Sequence, residues 1–193
     1  ISRPVKTEDI WFRPVYIKHG PDGAVYVADF YEKFPDHRNH HQGKVFPDSG
    51  RIYRLRAKEA KPTKPSDLGK LSTGQLVDLL SHKNKWHRQT ALRLLADRGD
   101  AAALPLLKTM LRDELGQAAL EALWAINLCG GFNPEFAGET LKHANPHVRS
   151  WTVRLLGDEK IVPEATAVAL AGLAKREPHI EGRGQLAATA KRL

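Results

Sequence analysis

A lone cysteine, Cys129, leaves the chain without an internal disulfide framework, and no Cys-x-x-Cys-His stands ready for covalent haem attachment. Long apolar runs are missing too: none approaches the roughly 18 to 20 residues that span a bilayer, which excludes a transmembrane helix at the level of sequence. Gly-rich phosphate loops and the Gly-x-Ser-x-Gly elbow are absent, so nucleotide cradling and serine-hydrolase chemistry have no support. The opening residues, ISRPVKTEDIWF, show neither an initiator methionine nor the charged-then-apolar order of a signal peptide. They read as an internal position, expected of a processed product or a fragment of a longer chain, and the missing leader says nothing about compartment.

What is present is the composition of a soluble globular protein with room for one domain or two small ones: 193 residues, 41% hydrophobic and 27% charged. The formal charge of +8 suits an acidic partner. Most of the excess lies in one stretch, Arg51, Arg54, Arg56, Lys58, Lys61 and Lys64, opposed only by Glu59. That run leaves a strand and enters a linker, so a solvated basic connector is expected rather than a nucleic-acid surface.

Two periodicities divide the chain. PVYIKH (14–19) and AVYVAD (24–29) carry β-branched and aromatic residues around Gly20-Pro21-Asp22-Gly23, a hairpin signal, and GRIYRL (50–55) alternates as a third strand. Three such strands bury too little to stand alone. After the proline-punctuated linker at 61–70 the period becomes helical and stays so. Ser72 with Gln75 forms a capping-box pattern, Asn84 and Asn145 read as N-caps, Pro146 follows at the first helical position, and Gly99 reads as a stop. LSHKNKWHRQTALRLLAD (80–97) and LKHANPHVRSWTVRLLGD (141–158) align without a gap at a displacement of 61, pairing Leu80 with Leu141, His82 with His143, Arg88 with Arg149 and Leu95 with Leu156. A weaker copy, GQAALEALWAIN (116–127), places Leu120 and Leu123 where Leu92 and Leu95 fall. Sixty-one residues are therefore two repeats of roughly thirty, each a helical hairpin that covers its apolar stripe by stacking on the next.

These paired helices, with an Arg early in the second helix and a polar residue six positions before it, resemble HEAT repeats over about residues 70–193. In that family the earlier position is usually Asp, bonded to the Arg of a neighbouring repeat. Here His82 and His143 stand there, so the resemblance implies a ladder in which imidazole accepts from Arg88 or Arg149. The final copy, ending GQLAATAKRL, reads as cut short, which would leave an apolar end.

The first half resembles something else. Phe12-Arg13-Pro14, Gly20-Pro21-Asp22-Gly23, Ala28-Asp29 and Gly50-Arg51-Ile52-Tyr53-Arg54 are similar to the closing blade of the β-propeller in the large membrane-associated dehydrogenase-like proteins of planctomycetes and verrucomicrobia, themselves similar to glucose and sorbosone dehydrogenases. The likeness covers about residues 1–57, one blade of a ring that needs at least four. It implies further blades upstream, a HEAT-like region after the propeller, pyrroloquinoline quinone or haem in the parent protein, and a periplasmic or membrane-associated location. The family's catalytic residues belong to earlier blades, so no catalytic residue or cofactor is carried onto this segment.

Several residues remain as site candidates. His37, His40 and His41, flanked by Asp29, Asp36 and Asp48, offer imidazole and carboxylate to a transition metal, and Arg51 begins the strand that follows. The alternative is a polar surface loop across one face of a blade, touching a ligand that other blades hold. Asp22 reads as a turn residue and Asp29 as the end of its strand, against a calcium or acid–base role for either. Trp86, Trp124 and Trp151 recur on second helices as a stacking surface or, as expected here, as packing between repeats. Trp86, His87, Arg88, His147 and Arg149 cluster at helix starts as partner-binding candidates. Cys129 reads as a small buried hydrophobe rather than a nucleophile.

The expectation is a mainly α chain: a β segment at 1–60, a linker at 61–70, and a HEAT-like solenoid at 71–193 of about three and a half helix pairs. Its expected function is that of a non-catalytic junction and docking scaffold in a propeller-type dehydrogenase-like redox protein, whose partner is a protein domain or an electron acceptor. A free-standing HEAT-like module for an acidic protein or nucleic acid is the alternative.

Overall fold

The computed structural model describes residues 5–34, 36–60 and 66–193, which fold mainly as α-helix with a small three-stranded antiparallel sheet ahead of the helical repeats. The chain divides into two compact units, Ile1–Ser66 with Asn84–Trp86, and Asp67–Lys83 with His87–Leu193.

In the first unit β1 (Pro14–His19), β2 (Val25–Asp29) and β3 (Arg51–Leu55) pair antiparallel in the order β1-β2-β3. The turn between β1 and β2 closes as its residue types dictate. Gly20 N–H donates to Ala24 O (2.8 Å), Asp22 Oδ1 accepts from Ala24 N–H (3.1 Å), and Gly23 takes φ +75°, a conformation that costs any side chain. Register places Ile17, Val27 and Tyr53 on one face and Tyr16, Ala28 and Ile52 on the other. Val27 is buried, yet Ile17, Tyr16 and Ile52 are 65%, 56% and 76% exposed on opposite faces. Among the described residues no further strand pairs with β1 or β3.

The stretch read as a polar loop between β2 and β3 instead winds into a short helix, α1 (His37–His41). Asp36 supplies the reason, accepting from Asn39 N–H (2.9 Å) as an N-cap. Residues 61–65 of the expected linker, Lys61 and Lys64 among them, lie outside the described residues. Beyond them, Asp67 accepts from Gly69 N–H (3.0 Å) and caps a 3₁₀ turn at Leu68–Lys70.

Four helix pairs follow. The first is α2 (Thr73–Asp78), running into a 3₁₀ turn at Leu79–Ser81, and α3 (Lys85–Arg98). The others are α4 (Ala103–Asp113) with α5 (Gln117–Leu128), α6 (Pro134–Thr140) with α7 (Pro146–Asp158), and α8 (Glu164–Ala174) with α9 (Ile180–Ala190). The last pair was expected to be incomplete and is formed. Leu186 enters the core, and the buried Thr189 hydroxyl donates to Val153 O (3.2 Å), tying α9 to α7. Ser72 and Gln75 make the capping box, and Gly99 takes φ +56° as α3 ends. Leu76, Leu80, Leu95, Leu107, Leu123 and Ile126 form one continuous core, and Leu141, Val153, Leu156, Leu170 and Leu186 form the next, with Phe132 against both. The aligned residues share their environments: Leu80 and Leu141, and Leu95 and Leu156, are buried pairs, whereas Arg93 and Arg154 are both exposed.

Asn145 does two jobs at the start of α7. Its Oδ1 accepts from His147 N–H (2.9 Å), and its Nδ2 donates to Leu115 O and Gly116 O in the preceding repeat. Asn145→Ala is expected to cost about 1 kcal/mol or somewhat more in urea unfolding. Asn145→Ser, which keeps the cap and loses the carboxamide, should cost less than that. Equal losses would mean that the cap itself contributes nothing.

Candidate functional site

A small lobe beside the sheet is assembled around two buried carboxylates, Asp29 and Glu32, of which Asp29 keeps Oδ2 without a hydrogen-bond partner. Asp29, 3% exposed, spends Oδ1 on the backbone N–H groups of Arg13 (2.7 Å) and Tyr31 (2.9 Å). Tyr31 is thereby held at φ 45°, the left-handed region disfavoured for a bulky residue. Its hydroxyl donates to Asp9 (2.9 Å), and the Arg51 guanidinium lies 3.5 Å above its ring. Glu32, 1% exposed, accepts from the backbone N–H groups of Lys33 and Phe46 (3.0 Å each), and Ser49 Oγ donates to Tyr31 O (2.6 Å). Trp11 packs on Tyr31 and Phe46 beneath these bonds.

On that lobe α1 brings together His37 and His41, whose Nε2 atoms stand 2.8 Å apart with the rings edge to face. One nitrogen must carry the proton that the other accepts. Asp36 caps the helix and also bonds the Asn39 carboxamide, and His40 Nε2 is buried without a hydrogen-bond partner. Asp22, as expected, serves its turn and pairs with Arg54 across the sheet.

In the helical unit the expected ladder exists with different partners. Neither imidazole accepts from the arginine. Arg88 donates through Nε to Glu121 (3.0 Å) and through Nη1 to the carbonyls of His82 (2.8 Å) and Lys83 (3.1 Å). Arg149 repeats the pattern with the His143 and Ala144 carbonyls (2.8 and 3.1 Å) and a two-pronged bond to Glu177 (2.7 and 2.6 Å). The correction has a simple physical cause. An Arg in the first turn of a second helix reaches back to carbonyls of the loop that joins the two helices and sideways to a buried carboxylate of the next repeat, through two prongs from Arg149 and one from Arg88. Glu121 and Glu177 went unrecognised because they fall 33 and 28 residues beyond their arginines, an uneven spacing that hides the repeat. Arg149 holds the Glu177 carboxyl below the usual glutamate range, assisted by the His179 N–H.

Arg88 and Arg149 are thus committed within the repeats. His87 faces His82 with ring centroids 4.3 Å apart, Trp86 is half-buried in the first turn of α3, and His147 lies exposed with Nδ1 3.3 Å from Glu181. Trp124 and Trp151 meet edge to face (5.0 Å) between α5 and α7, with Arg154 over Trp151, so they pack repeats together. The half-buried Cys129 donates its thiol to Leu95 O (3.6 Å), and burial pushes its pKa up, which suits a packing residue. At the last helix pair an apolar groove of about 490 Å³ is lined by Leu170, Ala171, Ala174, Leu186, Ala187 and Leu193. Among the described residues no helix is long and apolar enough to cross a membrane.

Residues 4–59, which include the whole sheet, match a family described as a domain of unknown function, DUF7133. No curated protein and no solved structure matches the chain.

Proposed function

We propose that the chain is the junction and partner-docking region of a propeller-type dehydrogenase-like redox protein, its sheet one blade of a ring and its helix pairs the scaffold that docks a partner domain or electron acceptor. The observation that carries this reading is the sheet. Ile17, Tyr16 and Ile52 stand exposed on opposite faces, and among the described residues no further strand pairs with β1 or β3. A three-stranded sheet in this condition is stable only with neighbours on its faces, which is what adjacent blades supply. The family match, confined to 4–59, supports treating that segment as a unit with a character of its own. The groove on the last helix pair offers the apolar concavity that a docked domain fills.

Redox chemistry in this reading belongs to the blades upstream.

Hydrogen exchange tests the proposal. The amides hydrogen-bonded within the β1-β2-β3 ladder are expected to exchange about tenfold or more slowly in the full gene product than in residues 1–193, because blades packed on both faces suppress opening of the sheet. Unchanged exchange, or a gene encoding no further blades upstream, removes the reading. Saturable nucleic-acid binding that weakens steeply with salt would favour a free-standing basic module instead.

A further inference from the structure

Beside the Arg149–Glu177 pair, the first turns of α7 and α9 run next to one another, and three side chains with metal-ligating atoms converge there. His147 comes from the first turn of α7, His179 immediately precedes α9, and Glu181 lies in its first turn. One ligand atom from each lies within 4.8 Å of the other two. Among the described residues this is the one group of three or more His, Cys, Asp or Glu so placed.

From this geometry we infer a binding site for one borderline divalent transition cation, of the Zn²⁺ class, held by His147, His179 and Glu181 as a clamp between the last two repeats. Two imidazoles and a carboxylate match the preferences of such ions, and hard, oxygen-seeking cations would find too few oxygens. Metal–ligand bonds of about 2.1 Å in a tetrahedron set the ligand atoms about 3.4 Å apart. His147 Nδ1 and Glu181 Oε2, at 3.3 Å, already form one such edge. His179 meets His147 with ring centroids 5.2 Å apart and planes at 74°, so a small rotation of these half-buried and exposed side chains completes the set.

Two further features point to a ligand. His179 Nδ1 is buried without a hydrogen-bond partner, an expense that coordination by a cation would remove. The residue is also held in place from behind: its backbone N–H donates to Glu177 Oε1 (3.0 Å), and Glu177 is pinned by Arg149. That bond fixes the backbone from which the His179 imidazole projects. Opposing charge is present too. The two helix N-termini are partly positive and Arg183 donates to the nearby Pro178 carbonyl, so Glu181 must supply the favourable charge while Arg149 and Glu177 cancel. Water would fill the remaining coordination positions. The inference is independent of the docking function proposed above.

Calorimetric titration of the whole chain with Zn²⁺ is expected to show about one equivalent bound. His147→Gln and His179→Gln should each weaken it at least tenfold, whereas His37→Gln/His41→Gln should leave this site unchanged. A second measurement avoids substitutions: Zn²⁺ should slow acylation of His147 and His179 by diethylpyrocarbonate, read residue by residue by mass spectrometry. Absence of saturable binding, binding undiminished by the His147 and His179 substitutions, or acylation rates indifferent to the metal would each overturn the assignment.

Discussion

Arg149→Met is expected to lower the stability of the helical unit by about 3 to 5 kcal/mol, among the largest effects of any single substitution in the chain. The reason lies in what it leaves behind. Glu177 has a side chain 1% exposed, and both its oxygens are bound by Arg149, so removing the guanidinium strands a buried carboxylate with the His179 N–H as its remaining donor. The His143 and Ala144 carbonyls lose their donor at the same time. Arg88→Met should cost less, because Arg88 bonds Glu121 through one prong and Gln117 still donates to that carboxylate. The double variant Arg149→Met/Glu177→Leu should recover much of the loss, since a pair replaced by apolar groups leaves no orphaned charge. Failure to recover would locate the cost in packing instead.

The sign of the pH dependence follows from the same contact. Arg149 lowers the folded pKa of Glu177, so the pair's contribution is fully present above the unfolded glutamate value, about 4.3, and is lost as pH falls through the lower folded value. In Arg149→Met the stranded carboxyl takes up a proton more readily. The stability gap between parent and variant, measured by urea unfolding at neutral pH and again in acid, should therefore narrow toward low pH. A constant gap would contradict the ionic account.

The repeat was legible in the sequence because its strongest signals are local. N-caps at Ser72 and Asn145, the stop at Gly99 and the leucine stripe each act within a turn or two of chain, and their burial follows from period alone. The turn at Gly20–Gly23 was legible for the same reason. What escaped reading were pairings between repeats. The ladder's arginines were visible at a displacement of 61, but their acceptors, Glu121 and Glu177, occupy positions that depend on how far apart successive hairpins start. His147, His179 and Glu181 meet only because α7 and α9 lie side by side, and no spacing along the chain announces it. The helix at His37–His41 also carries a local signal, Asp36 as the cap three residues before Asn39.

Leu123→Ala should cost about 2 to 5 kcal/mol, the range set by lost apolar burial plus the cavity left behind. Leu123 is 0% exposed in the core that also holds Leu76, Leu80, Leu95, Leu107 and Ile126, and it occupies in α5 the register position of Leu95 in α3 and Leu156 in α7. With packed helices on every side the site has little freedom to collapse, which places it in the upper part of that range. Leu156, 6% exposed, belongs to the core of the last two helix pairs, the last of which carries the open groove, so Leu156→Ala should fall lower. Leu128, 49% exposed at the end of α5, should change by no more than about 0.5 kcal/mol. Because the chain has two compact units, the unfolding is followed by the far-ultraviolet signal of the helices, which reports the unit in question. The order Leu123, Leu156, Leu128 is what stacked hairpins require. If Leu123→Ala and Leu128→Ala proved equal, the stripe common to the repeats would not be what holds them together.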